Sequence, residues 1–268
     1  MTNLKLDPDD FSLNFNLEVS KGDVTGHYAV NKFGLTSNAD SGVITDVWDA
    51  AAQPIWLAPT EARVHEILST SDEDSDTGGA IAQGDGARTI RIYGLKTWDL
   101  AETSEDVIMD GTDGVDTANS YVIIHRMKVL TGGPSAPNVG TITAVAAADA
   151  TVTAQIGPVK GQTLMAIYGV PSTQNFYMTN FSASVALNSP AAASAGAIVR
   201  STMDVENDTT AFIFKHTSAI FETGSTTFNH AFGVPKKFEG PCIIKLALVS
   251  GDNDTHGDAS FDGILVDN

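Results

Sequence analysis

Two tripeptides carry the residue types of proton-sharing carboxylates: Asp40-Ser41-Gly42 and Asp76-Thr77-Gly78. In an aspartic protease two such turns face each other across a dry cleft, and their carboxylates hold one proton between them. That chemistry needs an apolar strand running into each turn. Here Ser37-Asn38-Ala39 precedes Asp40, and Asp72-Glu73-Asp74-Ser75 precedes Asp76. The stretch between the turns is also too short to build a lobe, so both read as ordinary turn residues.

The same acids are spaced like oxygen ligands. Asp72, Asp74 and Asp76 stand at positions one, three and five of a loop, but an EF-hand then needs glycine sixth and glutamate twelfth. Thr77 and Gln83 occupy those places. Asp252, Asp254 and Asp258 come closer, with Gly257 sixth, yet Gly263 stands where the closing glutamate belongs. Asp252, Asp254 and Asp258 are retained as metal candidates for a Ca2+ held between loops, against a plainly solvated acidic loop. No other cofactor is expected.

The remaining chemistry-bearing residues do not assemble into a motif. His27, His65, His125, His216, His230 and His256 are scattered, with no H-E-x-x-H pair. His125 shares a strand face with Tyr121, Ile123, Met127 and Val129, and His230 lies between Phe228 and Phe232. An imidazole on an apolar face is ordinarily core, with its ring nitrogens hydrogen-bonded. There is no G-x-S-x-G elbow and no P-loop. Cys242 is the only cysteine, which excludes an intrachain disulfide and a cysteine metal site. Its strand-like setting reads as buried packing. Trp98, in Lys96-Thr97-Trp98-Asp99, would stack on a sugar ring if exposed and is core if it closes a sandwich end. No catalytic residue is assigned, and the chain is read as non-enzymatic.

The elements that position these residues are strands. Phe11, Leu13, Phe15, Leu17 and Val19 alternate with Ser12, Asn14, Asn16 and Glu18, the period of a half-buried strand. Phe11, Leu13, Phe15 and Leu17 are therefore the candidate partner-binding face of an N-terminal strand or arm. Val43–Ala52 predicts a short helix. Strands are predicted at 62–71, 89–95, 105–109, 121–130, 151–156, 162–170, 176–187, 197–203, 211–216, 226–234, 242–250 and 261–266. That rhythm, with polar turns between, predicts an all-β fold of two antiparallel β-sandwich, jelly-roll-like domains. Thr131–Gly140 is rich in glycine and proline and marks the boundary. The expected division is 1–20 as arm, 21–133 as first sandwich and 141–268 as second.

Charge narrows the partners. Fifteen basic residues face 33 acidic ones, a net charge of −18. Such a surface repels phosphate backbones and anionic lipid, so neither nucleic acid nor membrane is an expected partner. The first residues lack the apolar core of a secretory signal, and synthesis in a cytoplasm is expected.

Several phrases, in order, resemble a known family: Gly86–Leu95 (GARTIRIYGL), Glu105-Asp106-Val107, Asp110-Gly111-Thr112, Asn119-Ser120-Tyr121, Arg126–Leu130 (RMKVL), Asn138–Ala144 (NVGTITA), Gly161–Pro171 (GQTLMAIYGVP) and Phe261–Asn268 (FDGILVDN). The order is similar to that of structural proteins of tailed bacteriophages, of the kind frequent among aquatic phages. The resemblance spans residues 28 to 268 and brings no catalytic signature. It implies a virion protein made in the host cytoplasm, foremost a capsid decoration (cement) or head-fibre-base protein. Its partners would be copies of itself, as a homotrimer, and the major capsid protein or other virion proteins. The alternative it implies is a tail, baseplate or lectin-like receptor-binding component.

Overall fold

The computed structural model describes residues 15–50, 52–134, 137–186, 193–202, 212–222, 226–251 and 253–268. They form one helix, α1 (Phe15–Lys21), and sixteen strands. The first nine strands are β1 (His27–Ala39), β2 (Ile44–Asp46), β3 (His65–Ser69), β4 (Ala87–Leu95), β5 (Thr103–Ile108), β6 (Val115–Asp116), β7 (Ile123–Gly132), β8 (Ile142–Ala146) and β9 (Val152–Ile156). The others are β10 (Ile167–Val170), β11 (Gln174–Ala186), β12 (Ala193–Thr202), β13 (Phe212–Glu222), β14 (Thr226–Glu239), β15 (Cys242–Ser250) and β16 (Thr255–Asp267). The expected all-β, antiparallel architecture is what the chain adopts. No helix among the described residues is long and apolar enough to cross a membrane.

One sandwich is built from the two ends of the chain. Its sheets run β1-β16-β11-β14 and β10-β15-β12-β13, with β2 also paired to β15. Strands β11 to β16 shuttle between the sheets, and β16 returns to lie beside β1. This is the two-sheet Greek-key order of a jelly roll. Its core holds Phe176, Phe181, Ile244, Leu248, Phe261 and Leu265. Along β16 the buried residues Ala259, Phe261 and Leu265 keep period two. On β11 a register shift between Met178 and Asn180 lets both Phe176 and Phe181 face inward.

The second sandwich is inserted into the first. After β2 the chain leaves the jelly roll, forms the small sheets β6-β3-β8-β9 and β5-β4-β7, and returns at β10. These strands enclose a second core around Trp48, Trp56, Ile90, Ile92, Ile123 and Met127. Exit and return touch: Ala166 donates its N–H to the Val47 carbonyl at 2.9 Å, and Leu246 of β15 donates to Ala166 at 3.0 Å. Gly34 of β1 lies flat on this neck. A Cβ there would stand 2.4 Å from the Val47 oxygen and 2.6 Å from the Ala166 nitrogen, closer than non-bonded atoms allow.

Three expectations are corrected. The sheets do not follow a division into 21–133 and 141–268. β1 and β2 pair with β16 and β15, and β3 pairs with β8 across the glycine-rich 131–140 segment, because the sheet partners are distant in sequence. Second, Val43–Ala52 yields strand β2 in place of a helix (Ala51 lies outside the described residues). The backbone of Ile44–Asp46 pairs with β15, and the buried Asp46 carboxylate accepts from Lys245 Nζ and, at 2.9 Å, from the Trp56 N–H.

Third, the N-terminal strand is not seen. Phe11 and Leu13 lie outside the described residues, and Phe15–Lys21 is helical. Gly22 follows at φ +81°. Its N–H donates to Val19 and the Asp23 N–H donates to Glu18, which satisfies two terminal carbonyls in the manner of a Schellman close. Glu18 and Lys21 form an i,i+3 ion pair at 2.7 Å. Of the proposed partner face, Phe15 packs edge-on against His27 with ring centroids 5.7 Å apart, and Leu17 is exposed.

Candidate functional site

A cleft of about 380 Å³ opens where the jelly roll meets the insert. β1 and β10 are edge strands of the two sheets. The inward row of β1 brings Tyr28, Val30 and Lys32 to one wall. The insert supplies Glu102, just before β5, and His125 and Arg126 of β7. Gln174, at the start of β11, also lines the cleft.

Lys32 is the unusual residue, only 7% exposed. Its Nζ donates to the His125 carbonyl, its only protein hydrogen bond among the described residues. Burial pushes the amine down to about 7, with Arg126 pushing the same way and Glu102 opposing.

His125 is buried and fully engaged. Its Nε2 bonds Glu102 Oε2 at 2.6 Å, while Nδ1 accepts the Gly169 N–H at 3.4 Å. A ring nitrogen that accepts a backbone N–H carries no proton, so the network assigns the neutral Nε2–H tautomer donating to Glu102. Burial lowers the His125 pKa, with Glu102 opposing. Burial raises the Glu102 carboxyl, but its bond to His125 and the charges of His125, Lys32 and Arg126 outweigh this and hold it below the ordinary glutamate range. Tyr168 packs against the imidazole with centroids 4.6 Å apart. Both ring nitrogens are thus committed to the protein, and His125 has none left to act as a base. It is the hydrogen-bonded core histidine expected from the sequence.

Arg126 is exposed at the rim. Its guanidinium lies 5.7 Å from the Tyr93 ring centre and Nη2 donates to Gln162 Oε1 at 3.0 Å. Gln174 is 4% exposed; its Nε2 donates to Asp267 at 2.7 Å, while its buried Oε1 has no hydrogen-bond partner among the described residues.

The sequence candidates lie elsewhere. Asp74 is fully buried and organises the acidic loop. One oxygen accepts the N–H groups of Ala87 (2.8 Å) and Val139 (2.7 Å), the other the Gly140 N–H (2.7 Å) and the Ser69 hydroxyl (2.6 Å). Asp76 accepts the Thr77 N–H and the Gln83 amide, each at 2.8 Å. Asp72 accepts the Thr112 hydroxyl at 2.7 Å. These acids tie turns. Asp252 lies outside the described residues. Asp254 precedes β16 and contacts Asp40 through its backbone N–H, and Asp258 of β16 accepts the Ser184 hydroxyl. Among the described residues no three His, Cys, Asp or Glu side chains converge as metal ligands would. Cys242, the one cysteine of the sequence, is buried. Trp98 is partly buried against the second core, in place of an exposed sugar platform.

Sequence reasoning missed Lys32, Glu102, Arg126 and Gln174 as a group. The one available signal was a lysine on the same strand face as Tyr28, Val30, Gly34 and Thr36.

No protein-family model matches the chain, and no curated protein matches it. Among solved structures, the cowpea mosaic virus top component, naturally occurring empty particles, is similar at 9% identity, covering 78% of this chain and 88% of that one, with a TM-score of 0.23. The infectious bursal disease virus Gt strain structure is similar at 11% identity over 90% of this chain and 72% of that one, with a TM-score of 0.21. At such scores the similarities carry no weight, and the fold assignment rests on the strand order itself.

Proposed function

We propose that the chain is a non-enzymatic virion structural protein of a tailed bacteriophage, a capsid decoration or head-fibre-base subunit that docks on the outer shell as a symmetric homo-oligomer. The observation that carries this reading is the open side of the jelly roll. β13 and β14 are the edge strands of its two sheets, and they lie side by side, with His216 and His230 rings 4.5 Å apart. On them Ile213, Phe214 and Val234 are 45%, 57% and 82% exposed. Long edge strands bearing exposed apolar side chains pair with another chain unless something covers them. A second copy is the occupant proposed here, in a closed ring of three.

Jelly rolls are a recurrent fold of capsid and lectin domains, an analogy of fold that supports the reading without fixing a position in the particle. The net charge of −18 keeps such a subunit off packaged nucleic acid. Quantitative mass spectrometry of purified virions tests the role: tens to hundreds of copies per particle are expected, and a handful would exclude general decoration. Sedimentation of the free protein tests the interface. Phe214→Glu with Val234→Glu should convert an oligomer to monomers, and a wild-type monomer at all concentrations would overturn the edge-to-edge arrangement.

A further inference from the structure

The geometry points to an intramolecular isopeptide bond between Lys245 of β15 and Asp46 of β2, formed by the folded chain on itself. Asp46 pairs with Ala247, so Lys245, two residues away along β15, lies diagonally opposite it on the same face of the sheet. The lysine Nζ meets Asp46 Oδ2 directly. Trp56 holds both groups: its N–H donates to Asp46 Oδ2 at 2.9 Å, and its carbonyl accepts from Lys245 Nζ at 3.2 Å. Nζ and the carboxyl carbon are thus separated by one oxygen. Holding two reactants in that way replaces a very high concentration of free reagent.

The second observation is the dryness of the place. The Lys245 and Asp46 side chains are 1% and 0% exposed. The Phe212 ring centre stands 3.8 Å from Nζ and the Trp56 ring centre 5.8 Å. Ile243 of β15 belongs to the insert core, and Val47 and Leu246 belong to the jelly-roll core, so the pair sits at the seam between the two. Two full charges are expensive to keep in such a medium. Moving one proton along their hydrogen bond leaves an amine and a carboxylic acid, the reacting forms. The structure holds the two groups unlinked, the state before the bond.

The reaction balances without an oxidant, a reductant or a second molecule. The Nζ lone pair attacks Asp46 Cγ, and an N–C bond forms. The Cγ–Oδ2 bond breaks, and Oδ2 leaves as water with two of the three ammonium protons. The third stays on the amide nitrogen. The Trp56 N–H, already on Oδ2, supports that oxygen as it departs. A neutral amide then replaces two buried ions, and exclusion of water protects it from hydrolysis. The link closes residues 46–245 into a ring that contains the whole insert. Cross-links that close long loops constrain the unfolded chain most, and neither heat nor pulling would then part β2 from β15.

Tryptic mass spectrometry of the full chain tests this. The protein is held folded at neutral pH for several days, then denatured and digested. Trypsin does not cut at an acylated lysine, so cleavage after Lys32, Arg63 and Lys237 should release 33–63 joined to 238–268. The joined species should be lighter than the two peptides together by one water. Its yield should grow with time in the folded protein, and a chain kept in urea should form none. Lys245→Arg keeps a cation but supplies no nucleophilic amine, and it should give 238–245 and 246–268 with no joined species. Asp46→Ala should do the same. Release of 238–245 and 246–268 alone from the folded wild type overturns the proposal. So does a joined species that forms equally in urea or survives in either variant, because other groups would then have reacted.

Discussion

Lys32→Met isolates the cost of burying an ammonium under the cleft. An unfolded lysine titrates at 10.5 and this one, folded, at about 7. Between those values the unfolded chain holds one more proton than the folded chain, so the lysine's contribution to stability rises with pH. It is least favourable below about pH 7, where both states are protonated, and the penalty vanishes above the unfolded value. The slope is about 1.4 kcal/mol per pH unit, which makes the penalty about 4 kcal/mol at pH 7 and about 1.5 kcal/mol at pH 9.5.

Methionine fills nearly the same volume and removes this penalty. It also strips the His125 carbonyl of its donor, a loss of about 1–3 kcal/mol. The variant should therefore be more stable than wild type by about 1–3 kcal/mol at pH 7, and equal to it or weaker at pH 9.5. Urea unfolding of both proteins at half-unit steps from pH 7 to 9.5 stays below the range of ordinary tyrosine ionisation and reads the difference directly. A stability difference that stays flat across that range would refute the reasoning, because it would mean that the lysine is solvated in the folded chain.

Four further outcomes follow from packing and turns. Asp74→Ala should cost about 3–5 kcal/mol by urea denaturation, since three backbone N–H groups and a hydroxyl lose a shared charged acceptor. Asp46→Ala removes the carboxylate beside the buried Lys245 ammonium and should cost about 3–5 kcal/mol, a larger loss than for Asp46→Asn. Val159 holds φ +58° while 65% exposed. Val159→Gly should raise the melting temperature, gaining about 0.5–1 kcal/mol from relieved strain net of chain entropy. Gly34→Ala should cost about 1–3 kcal/mol or more through a clash at the neck, detected as a lowered unfolding midpoint.

The strands that sequence reasoning found are those whose inward faces are apolar. β11, β15 and β16 announce themselves through Phe176, Ile244, Leu246 and Phe261 at regular spacing. β1, thirteen residues long, carries no such signal because its inward row is Tyr28, Val30, Lys32, Gly34 and Thr36, where a buried lysine and the close approach at Gly34 stand in place of hydrophobes. The same residues explain why the cleft was illegible. Lys32 gains meaning only beside Glu102 and Arg126, which lie in the insert, and no periodicity reports that encounter. The N-terminal error has a different origin. Phe11–Val19 alternates cleanly, but a period of two over so few residues competes with local helix signals. Gly22 after Lys21, with Glu18 three residues before that lysine, was a stop signal for a helix. The acidic loop was read correctly as turns, and its buried organiser, Asp74, is distinguishable from its exposed neighbours only in three dimensions.

The hydrogen bond from Ala166 to Val47 makes residues 48–165 a cassette. The strands that leave and re-enter the host fold lie one peptide spacing apart, so a tight turn joining them would restore an uninterrupted two-sheet body, and a different payload with neighbouring termini could be grafted there. One side of the recess would travel with the cassette and the other would stay behind. Swapping it would change one wall of the recess and the insert core that Phe212 of β13 packs against, while β14 would stay with the host fold.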